Sequence, residues 1–178
     1  GLDRASGNLF REQRVFGGGR DKHAVIAWLG YDTPGRPDEL DFSVLRSGKA
    51  QTGAVRLAAE LDGMYEARAA AGHGRAGLDV LAHSYGTTVA SIALTMTKHP
   101  ADAFVMIGSA GLDTSVVKNL DLLNVREIEP GQKAIYTTHA AADQLAPAGA
   151  ALGRRGQPNP NAETVFRLHE YAPLYGGA

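Results

Sequence analysis

The chain has 178 residues, of which 44% are hydrophobic and 21% charged, and its formal net charge is −1. This length suits one domain with a sizeable core, and the balanced charge excludes a protein that binds nucleic acid through a strongly basic surface. The chain contains no cysteine, which excludes disulfides, thiolate metal sites and a cysteine nucleophile but leaves the compartment open.

The chain begins with GLDRASGN, which contains neither an initiator methionine nor a signal peptide. We therefore interpret it as a processed chain or an excised fragment of a longer polypeptide. The segment LFREQRVF (9–16) is short and predicts the end of a helix. No apolar run reaches the length needed to span a bilayer.

A strand and a long helix are predicted next. HAVIAWLGY (23–31) is a short continuous apolar run, typical of a strand covered on both faces, and the turn-rich DTPGRPDE ends it. Between residues 52 and 69 apolar side chains recur at helical spacing, which predicts a helix that Gly72 and Gly74 end. Gly63 within this pattern weakens the helix by about 1 kcal/mol relative to alanine.

The rest of the pattern alternates strands with helical segments. GLDVLA predicts a strand, and a helix is expected from Thr87 to about His99. AFVMIGSAG (103–111) predicts a strand followed by a glycine turn, and later strands are expected at KAIYTTHA (133–140) and TVFRL (164–168). Strands that alternate with helices favour right-handed crossovers and a mostly parallel sheet. We therefore predict that residues 1–178 form a single α/β domain, with a doubly wound, mostly parallel sheet and helices on both faces.

A serine follows the strand GLDVLA. Around Ser84 the chain reads small-x-Ser-x-Gly, with Ala82 where the usual pattern has glycine and with Gly86 at the second small position. Between a strand and a helix, this pattern indicates a nucleophile elbow, in which a tight turn exposes the serine hydroxyl. The backbone N–H of Tyr85 would then donate to a developing oxyanion. The alternative is a serine that caps the following helix.

A nucleophilic serine needs a histidine base, which elbow enzymes supply later in the chain than the acid. His169, in RLHEYAP after the last predicted strand, is the favoured base; His139 and a histidine outside this chain are the alternatives. The remaining histidines have structural interpretations, as strand-end, packing or helix C-terminal residues: His23, His73, His83 and His99.

The acid has two candidates, each in a loop after a predicted strand. Asp143 in HAAADQLAP follows the strand KAIYTT, and Asp113 in GSAGLD follows the strand before it. Either loop lies at the carboxyl end of its strand, where open parallel sheets place their chemistry. We favour Asp143. The alternative for both residues is a turn aspartate that bonds its own backbone.

Together these residues resemble the α/β-hydrolase fold. More narrowly, the chain resembles the actinobacterial α/β-hydrolase family formerly catalogued as a domain of unknown function. The similar motifs occur in order at AWLGYDTPG (27–35), LAHSYGTTVAS (81–91), IGSAG (107–111) and TTHAAADQLAP (137–147). The resemblance implies Ser84 as nucleophile and Asp143 as acid. It also implies a lipase-like or serine esterase reaction, without indicating a substrate.

The resemblance is incomplete on the N-terminal side. α/β-hydrolases usually carry another strand ahead of HAVIAWLGY, and the loop after that strand donates the second oxyanion-hole N–H. Here GLDRASGNLFREQRVFGGG contains no strand-like run, so we expect a sheet that lacks its N-terminal strands. The missing segment was removed, lies on another chain, or was lost in a degraded form. Losing one oxyanion donor can cost about 10²–10³ in turnover.

The sequence therefore predicts a serine hydrolase that cleaves a small-molecule or lipid carboxylic ester through an acyl-enzyme. Ser84 attacks, His169 moves the proton, Asp143 orients the imidazole and the Tyr85 N–H binds the oxyanion. We expect no metal and no organic cofactor. A peptidase or thioesterase would share this machinery. The alternative of a different class is a catalytically silent hydrolase-like binding module of a larger secreted or effector protein. GGGR (17–20) lacks the spacing of a dinucleotide-binding motif.

Overall fold

The computed structural model describes residues 2–16, 23–30, 47–109, 111–138 and 165–167. The chain forms two compact units, residues 1–30 and residues 31–178. Among the described residues, no helix is both long and apolar enough to cross a membrane.

The helices and strands are, in chain order, α1 (Leu2–Phe16), α2 (Ser47–Ala70), β1 (Asp79–His83), α3 (Gly86–Leu94), β2 (Ala103–Ile107), a short 3₁₀ helix (Leu120–Leu122), β3 (Glu127–Glu129), β4 (Gln132–Lys133), β5 (Ile135–Thr138) and β6 (Val165–Arg167).

The first unit contains α1 and the segment 23–30. The helix predicted to end within residues 9–16 is present as α1 and begins already at Leu2. The strand predicted at 23–31 is wrong for residues 23–30, which have no regular secondary structure. A strand exists only through ladder hydrogen bonds to a neighbour, and these residues join no ladder in the described part of the chain.

Helix α2 begins at Ser47, earlier than the apolar pattern predicts, and ends at Ala70 close to the predicted stop. Gly72 has a φ of +72°, and its amide donates to the carbonyl of Ala69 at 3.0 Å. The amide of His73 donates to the carbonyl of Arg68 at 3.0 Å. This is the Schellman pattern, in which a left-handed glycine lets the chain leave the helix with its last carbonyls satisfied.

The second unit is built on a four-stranded sheet in the order β1-β2-β5-β6, and all its strand pairs are parallel. Helix α3 packs on β1, and α2 packs on α3. The predicted parallel sheet with helices is confirmed, whereas the doubly wound arrangement with helices on both faces stays a prediction. Because the strands are parallel, their carboxyl ends lie at one edge of the sheet, which is where the serine of interest stands.

Asp102 fastens the amino ends of β1 and β2. Its Oδ2 accepts a 2.7 Å hydrogen bond from the amide of Leu78, and its own amide donates to the carbonyl of Leu78 at 2.8 Å. Its Oδ1 pairs with Arg75 at 2.5 Å and with Arg126 at 3.6 Å. Burial opposes ionisation of this carboxyl, but the hydrogen bonds from Arg75 and Leu78 and the attraction of both arginines outweigh burial and lower the pKa of Asp102.

The core of the second unit lies where the sheet meets α3. Phe104, Met106 and Ile135, on the two central strands β2 and β5, are fully buried. Leu94 and Val89 of α3 are buried with at most 1% exposure. Burying side chains of this size stabilises a fold by roughly 1.5–3 kcal/mol each, so α3 is held tightly against the strand that precedes it.

The structure corrects one helix boundary in this unit and adds a pair of strands. Helix α3 ends at Leu94 instead of continuing to about His99. Beyond it, the carboxylate of Asp62 on α2 accepts hydrogen bonds from the amides of Lys98 and His99 at 3.0–3.1 Å, so those amides bond to another helix instead of their own. The sequence pattern also missed the antiparallel pair β3–β4, whose strands are short and exposed or half-exposed.

Candidate active site

Ser84 occupies a turn between β1 and α3, and its backbone is left-handed. Its φ is +53°, and it is the non-glycine residue with positive φ in the described part of the chain. A left-handed L-residue other than glycine, asparagine or aspartate is uncommon and costs about 1–2 kcal/mol. Such strain persists only where the surroundings impose it, and it clusters at functional sites.

The neighbours of Ser84 explain how the turn is possible. Ala82 is buried, with 8% exposure, and Gly86 is half-buried at the first position of α3. A larger side chain at either position would crowd a turn that reverses within so few residues. Ser84 itself is exposed, so its hydroxyl is accessible to a ligand in solution.

The alternative of a helix-capping serine fits this geometry poorly. Helix α3 begins at Gly86 and its N-cap is Tyr85, not Ser84. A capping serine ordinarily has extended backbone dihedrals, whereas Ser84 has the left-handed φ given above. The local structure is therefore that of an elbow, as the small-x-Ser-x-Gly pattern predicts.

Backbone and side-chain hydrogen bonds anchor the elbow on both sides. The amide of Ser84 donates to the carbonyl of Ile107 on β2 at 3.0 Å. The carbonyl of Ser84 accepts from the amide of Thr87 at 3.0 Å and from the Thr87 hydroxyl at 2.7 Å. Sequence reasoning missed Thr87. The threonine pair in SYGTT was the available signal, because apolar residues are the usual occupants of a fully buried helix turn.

Tyr85 follows the serine and has helical dihedrals, with φ −58° and ψ −27°. Its side chain is buried, with 7% exposure. The first amides of a helix point out of its N-terminus, where the helix dipole favours negative charge. The backbone of Tyr85 therefore stands at the electropositive end of α3, beside Ser84.

Asp113, the alternative acid, lies in the chain after β2 and is half-buried. Its Oδ1 accepts hydrogen bonds from the amide and the hydroxyl of Ser115 at 3.0 and 2.5 Å. These are the bonds of a turn aspartate. Its Oδ2 is buried and has no hydrogen-bond partner within the described residues. One carboxylate oxygen of Asp113 is thus used by its own turn, and the other is not.

The favoured acid and base lie outside the described residues. Asp143 and the alternative base His139 follow the end of β5 at Thr138, and His169 follows the end of β6 at Arg167. The structure therefore describes Ser84, Tyr85 and Asp113, while the roles predicted for these residues and for Asp143, His139 and His169 stay predictions.

The comparisons with known proteins decide the family. The sequence profile of the α/β-hydrolases matches residues 5–146. The chain belongs to the α/β-hydrolase family. The match includes Ser84, Tyr85, Asp113 and Asp143 and ends before His169.

The α/β-hydrolase is also similar to two curated proteins of Mycobacterium tuberculosis. They are the uncharacterized protein MT2140 of strain CDC 1551 / Oshkosh and the uncharacterized protein Rv2079 of strain H37Rv. Each is 31% identical over 106 residues, which are 60% of this chain. The chain matches about 15% of the length of these relatives. No solved structure matches the chain.

Of the histidines that the structure of this α/β-hydrolase describes, His99 packs on another helix, whereas His73 and His83 are exposed. The interpretation of His99 as a helix C-terminal residue is wrong, because α3 ends before it. Its ring instead stacks on Tyr65 of α2, with ring centroids 3.9 Å apart and planes within 9°. The interpretation of His83 as a packing residue is also wrong, because its side chain is exposed. Sequence position alone could not reveal the stacking, since it joins residues from separate elements.

A groove of about 450 Å³ lies on the second unit and does not include Ser84. Its lining comes from α2 and from the segment after α3, and it includes Val55, Ala58, Ala59, Asp62, Met96 and Lys98. Within it, the Asp62 carboxylate is already occupied by backbone amides. We therefore place the candidate chemistry at the elbow and not in this groove. Among the described residues, no group of three or more histidines, aspartates or glutamates could hold a metal ion.

Proposed function

We propose that this protein is a serine hydrolase that cleaves carboxylic esters through an acyl-enzyme on Ser84. The observation that carries the proposal is the left-handed, exposed serine between a parallel strand and a helix. An α/β-hydrolase uses this elbow to hold its nucleophile above the carboxyl edge of the sheet. Membership of the family supports a hydrolase, and the ester specificity is our proposal.

The reaction needs each residue in a separate role. The hydroxyl oxygen of Ser84 attacks the ester carbonyl, and His169 takes its proton and then passes it to the leaving alcohol. Asp143 holds the imidazole in the orientation that lets it accept that proton. The amide of Tyr85, at the positive end of α3, stabilises the oxyanion that forms. Water then attacks the acyl carbonyl; His169 takes a proton from the water and returns it to Ser84 Oγ as the acyl–Ser84 bond breaks and the carboxylic acid leaves.

The strand order supports the choice of loops. In the order β1-β2-β5-β6, neighbouring strands lie about 4.8 Å apart, so the end of β5 is about 10 Å and the end of β6 about 14 Å from the end of β1. The loops after β5 and β6 would therefore have to extend along the carboxyl edge of the sheet to bring the acid and the base to Ser84. A histidine after β6 and an aspartate after β5 satisfy the chain order of nucleophile, acid and base.

A covalent probe tests the nucleophile directly. A fluorophosphonate should label the wild-type chain once, on Ser84, and the Ser84→Ala variant should not be labelled. Ser91→Ala is the matched control, because Ser91 is a buried serine further along α3, away from the turn, and its loss should leave labelling intact. If a well-folded wild-type chain resists the probe, the serine hydrolase is excluded and a silent binding module becomes the better account.

Paired substitutions assign the acid and the base. With p-nitrophenyl esters of increasing acyl length as substrates, His169→Ala and Asp143→Asn should each lower kcat by about 10⁴-fold. His139→Ala and Asp113→Asn should leave kcat within about tenfold of wild type. If His139→Ala lowers kcat more than His169→Ala, His139 is the base. If Asp113→Asn lowers kcat more than Asp143→Asn, Asp113 is the acid. The acyl length that gives the highest kcat/KM would separate a small-molecule ester from a lipid ester.

A further inference from the structure

Two buried hydroxyl groups connect the elbow to the polypeptide segment that follows β2. The reaction proposed above does not use these hydroxyls. We propose that Thr87 and Ser109 are positioning residues: through linked hydrogen bonds they hold the carbonyl of Ser84, and with it the left-handed backbone that presents the nucleophile. The proposal rests on the function proposed for Ser84. It adds two residues that touch neither substrate nor the reacting atoms.

The hydrogen bonds form a continuous path through the two hydroxyls. The Thr87 hydroxyl donates to the carbonyl of Ser84 at 2.7 Å. Thr87 Oγ1 and Ser109 Oγ share a hydrogen bond at 2.9 Å that either hydroxyl can donate. Ser109 Oγ in turn accepts from the amide of Gly111 at 3.1 Å. The two hydroxyls thus link a backbone amide after β2 to the carbonyl of Ser84.

Burial makes this chain of bonds effective. Thr87 is fully buried and Ser109 is 4% exposed, so water competes little for either hydroxyl. Breaking one bond would remove a hydrogen bond that water cannot readily replace at a buried position. The Ser84 carbonyl is therefore restrained by a donor that cannot readily exchange for solvent.

Thr88 adds a second connection between the same two segments. Its hydroxyl donates to the carbonyl of Gly111 at 2.8 Å, and Thr88 is fully buried. Two successive threonines of the first turn of α3 thus bond to residues that follow β2. The elbow is held from the strand side by Ile107 and from the helix side by this pair.

The alternative is that the Thr87 hydroxyl makes only an ordinary hydrogen bond within its own helix, without positioning the nucleophile. Ser91 provides the comparison. Ser91 is fully buried in the same helix, and its hydroxyl donates to the carbonyl of Thr88, three residues earlier, at 3.0 Å. Thr87 makes the same local bond to Ser84, but it also shares a hydrogen bond with Ser109. If only local helix bonding matters, Ser91→Ala and Thr87→Val should behave alike.

The first experiment measures reactivity of the nucleophile. Thr87→Val keeps the shape of the side chain and removes the hydroxyl, Thr87→Ser keeps the hydroxyl, and Ser91→Ala is the control. We expect Thr87→Val to slow fluorophosphonate labelling and to lower kcat by about 10- to 100-fold with KM unchanged. Thr87→Ser and Ser91→Ala should stay within about threefold of wild type.

A double variant tests whether the two hydroxyls act as one unit. Ser109→Ala alone should slow labelling by less than Thr87→Val, because the Thr87 hydroxyl can still donate to Ser84. In the background of Thr87→Val, Ser109→Ala should add little, since its partner hydroxyl has already gone. Fully additive effects of the two substitutions on the labelling rate would overturn the linkage between Thr87 and Ser109.

Hydrogen exchange supplies a readout that does not depend on catalysis. The amides at positions 84 and 87 bond to Ile107 and to the Ser84 carbonyl, so NMR exchange rates at these amides report whether the elbow is closed. Thr87→Val should raise both rates by about tenfold or more, while Ser91→Ala and Thr87→Ser leave them unchanged. Ser109→Ala gives the same readout if Thr87→Val does not fold.

The two readouts separate failure of this proposal from failure of the proposed function. A wild-type chain that the probe does not label, together with faster exchange in Thr87→Val, would exclude the hydrolase and keep the role of Thr87 in the elbow. Labelled wild type with unchanged exchange and unchanged labelling in Thr87→Val would overturn the positioning role alone. Equal losses in Thr87→Val and Ser91→Ala would reduce Thr87 to general helix stability and likewise overturn it.

Discussion

The backbone amide of Ser84 donates a 3.0 Å hydrogen bond to the carbonyl of Ile107. Ser84 follows the last residue of β1, and Ile107 is the last residue of β2, so the hydrogen bonding between the two parallel strands continues into the residue where the chain turns left-handed. The strain at Ser84 is therefore confined between an intact sheet edge and the first turn of α3. We expect substitutions at Ser84 to leave the strand register unchanged.

The backbone strain at Ser84 should be measurable as a difference in the free energy of unfolding between two substitutions. Glycine adopts a positive φ without steric cost, whereas alanine keeps the Cβ that makes the conformation unfavourable. We expect Ser84→Gly to be more stable than Ser84→Ala by about 1 kcal/mol. Urea unfolding followed by circular dichroism measures the difference.

The same pair of substitutions at Ser91 should give the opposite order. Ser91 lies in the regular helix α3, where glycine is about 1 kcal/mol less favourable than alanine. An inverted order at Ser84 and a normal order at Ser91 would together demonstrate the strain. If alanine is the more stable residue at both positions, the elbow is not strained in solution.

The rate of ester hydrolysis should depend on pH through the histidine base. An imidazole must be neutral to accept the proton of Ser84, and an ordinary histidine titrates near pH 6.5. We expect kcat/KM to decline below about pH 6–7 and to fall roughly tenfold for each further pH unit. Stopped assays between pH 4 and pH 9 check this. A flat rate down to about pH 4 would contradict a histidine base.

Stability should fall at lower pH for a separate reason. The pKa of Asp102 is lowered in the folded chain, so its ionised form contributes stability above the unfolded pKa of about 3.9. That contribution is lost as pH falls through the lowered folded pKa. We expect Asp102→Asn to destabilise the fold by about 1–3 kcal/mol at pH 7. The difference from wild type should shrink as both are taken below pH 4 in urea titrations.

A surface ion pair serves as the control for Asp102. Lys98 and Glu66 are paired at 3.3 Å, with side chains 73% and 56% exposed. Exposed pairs contribute about 0–1 kcal/mol, so Glu66→Gln should change little at any pH. A gap between Asp102→Asn and wild type that stays constant down to pH 2 would show that the charge of Asp102 is not what stabilises the strand ends.

Replacing two glycines by alanine, one within α2 and one just after its end, should change the stability of the fold in opposite directions. Gly63 lies inside the helix with nothing within 4 Å of the position that a Cβ would occupy, so Gly63→Ala should stabilise the fold by about 0.5–1 kcal/mol. Gly72 has the left-handed φ of +72° that ends the helix, and Gly72→Ala should destabilise it by about 1 kcal/mol. Thermal unfolding of both variants measures the two signs. A Gly63→Ala variant less stable than wild type would contradict the assignment.

Local patterns predicted those elements whose signals lie close together in the chain. The apolar run in GLDVLA, the small residues around Ser84 and the glycine stop at Gly72 each occupy a few consecutive residues, and the structure shows the corresponding strand, turn and helix end. The apolar run at 23–30 had an equally clear signal and formed no strand. A strand depends on a partner as well as on its own residues, and no short stretch of sequence contains that partner.

Contacts between distant residues decided the rest. The amide of His99 donates to the carboxylate of Asp62 on α2, and α3 ends at Leu94 although the helical sequence pattern continues beyond it. The ring of His99 also stacks on Tyr65 of α2. Periodicity reports which face of a helix is apolar, but it does not report which polar group from another helix will capture the next amides.

The amino-acid sequence by itself determined that a serine flanked by small residues stands between a strand and a helix, because the steric demands of that turn act within a few neighbouring residues. Only the tertiary structure decided that Thr87 and Ser109, 22 residues apart in the chain, meet behind that serine. Their hydroxyls are brought together by the parallel pairing of β1 with β2 and the packing of α3 on β1. Burial of both hydroxyls then makes their shared hydrogen bond a structural constraint on the elbow.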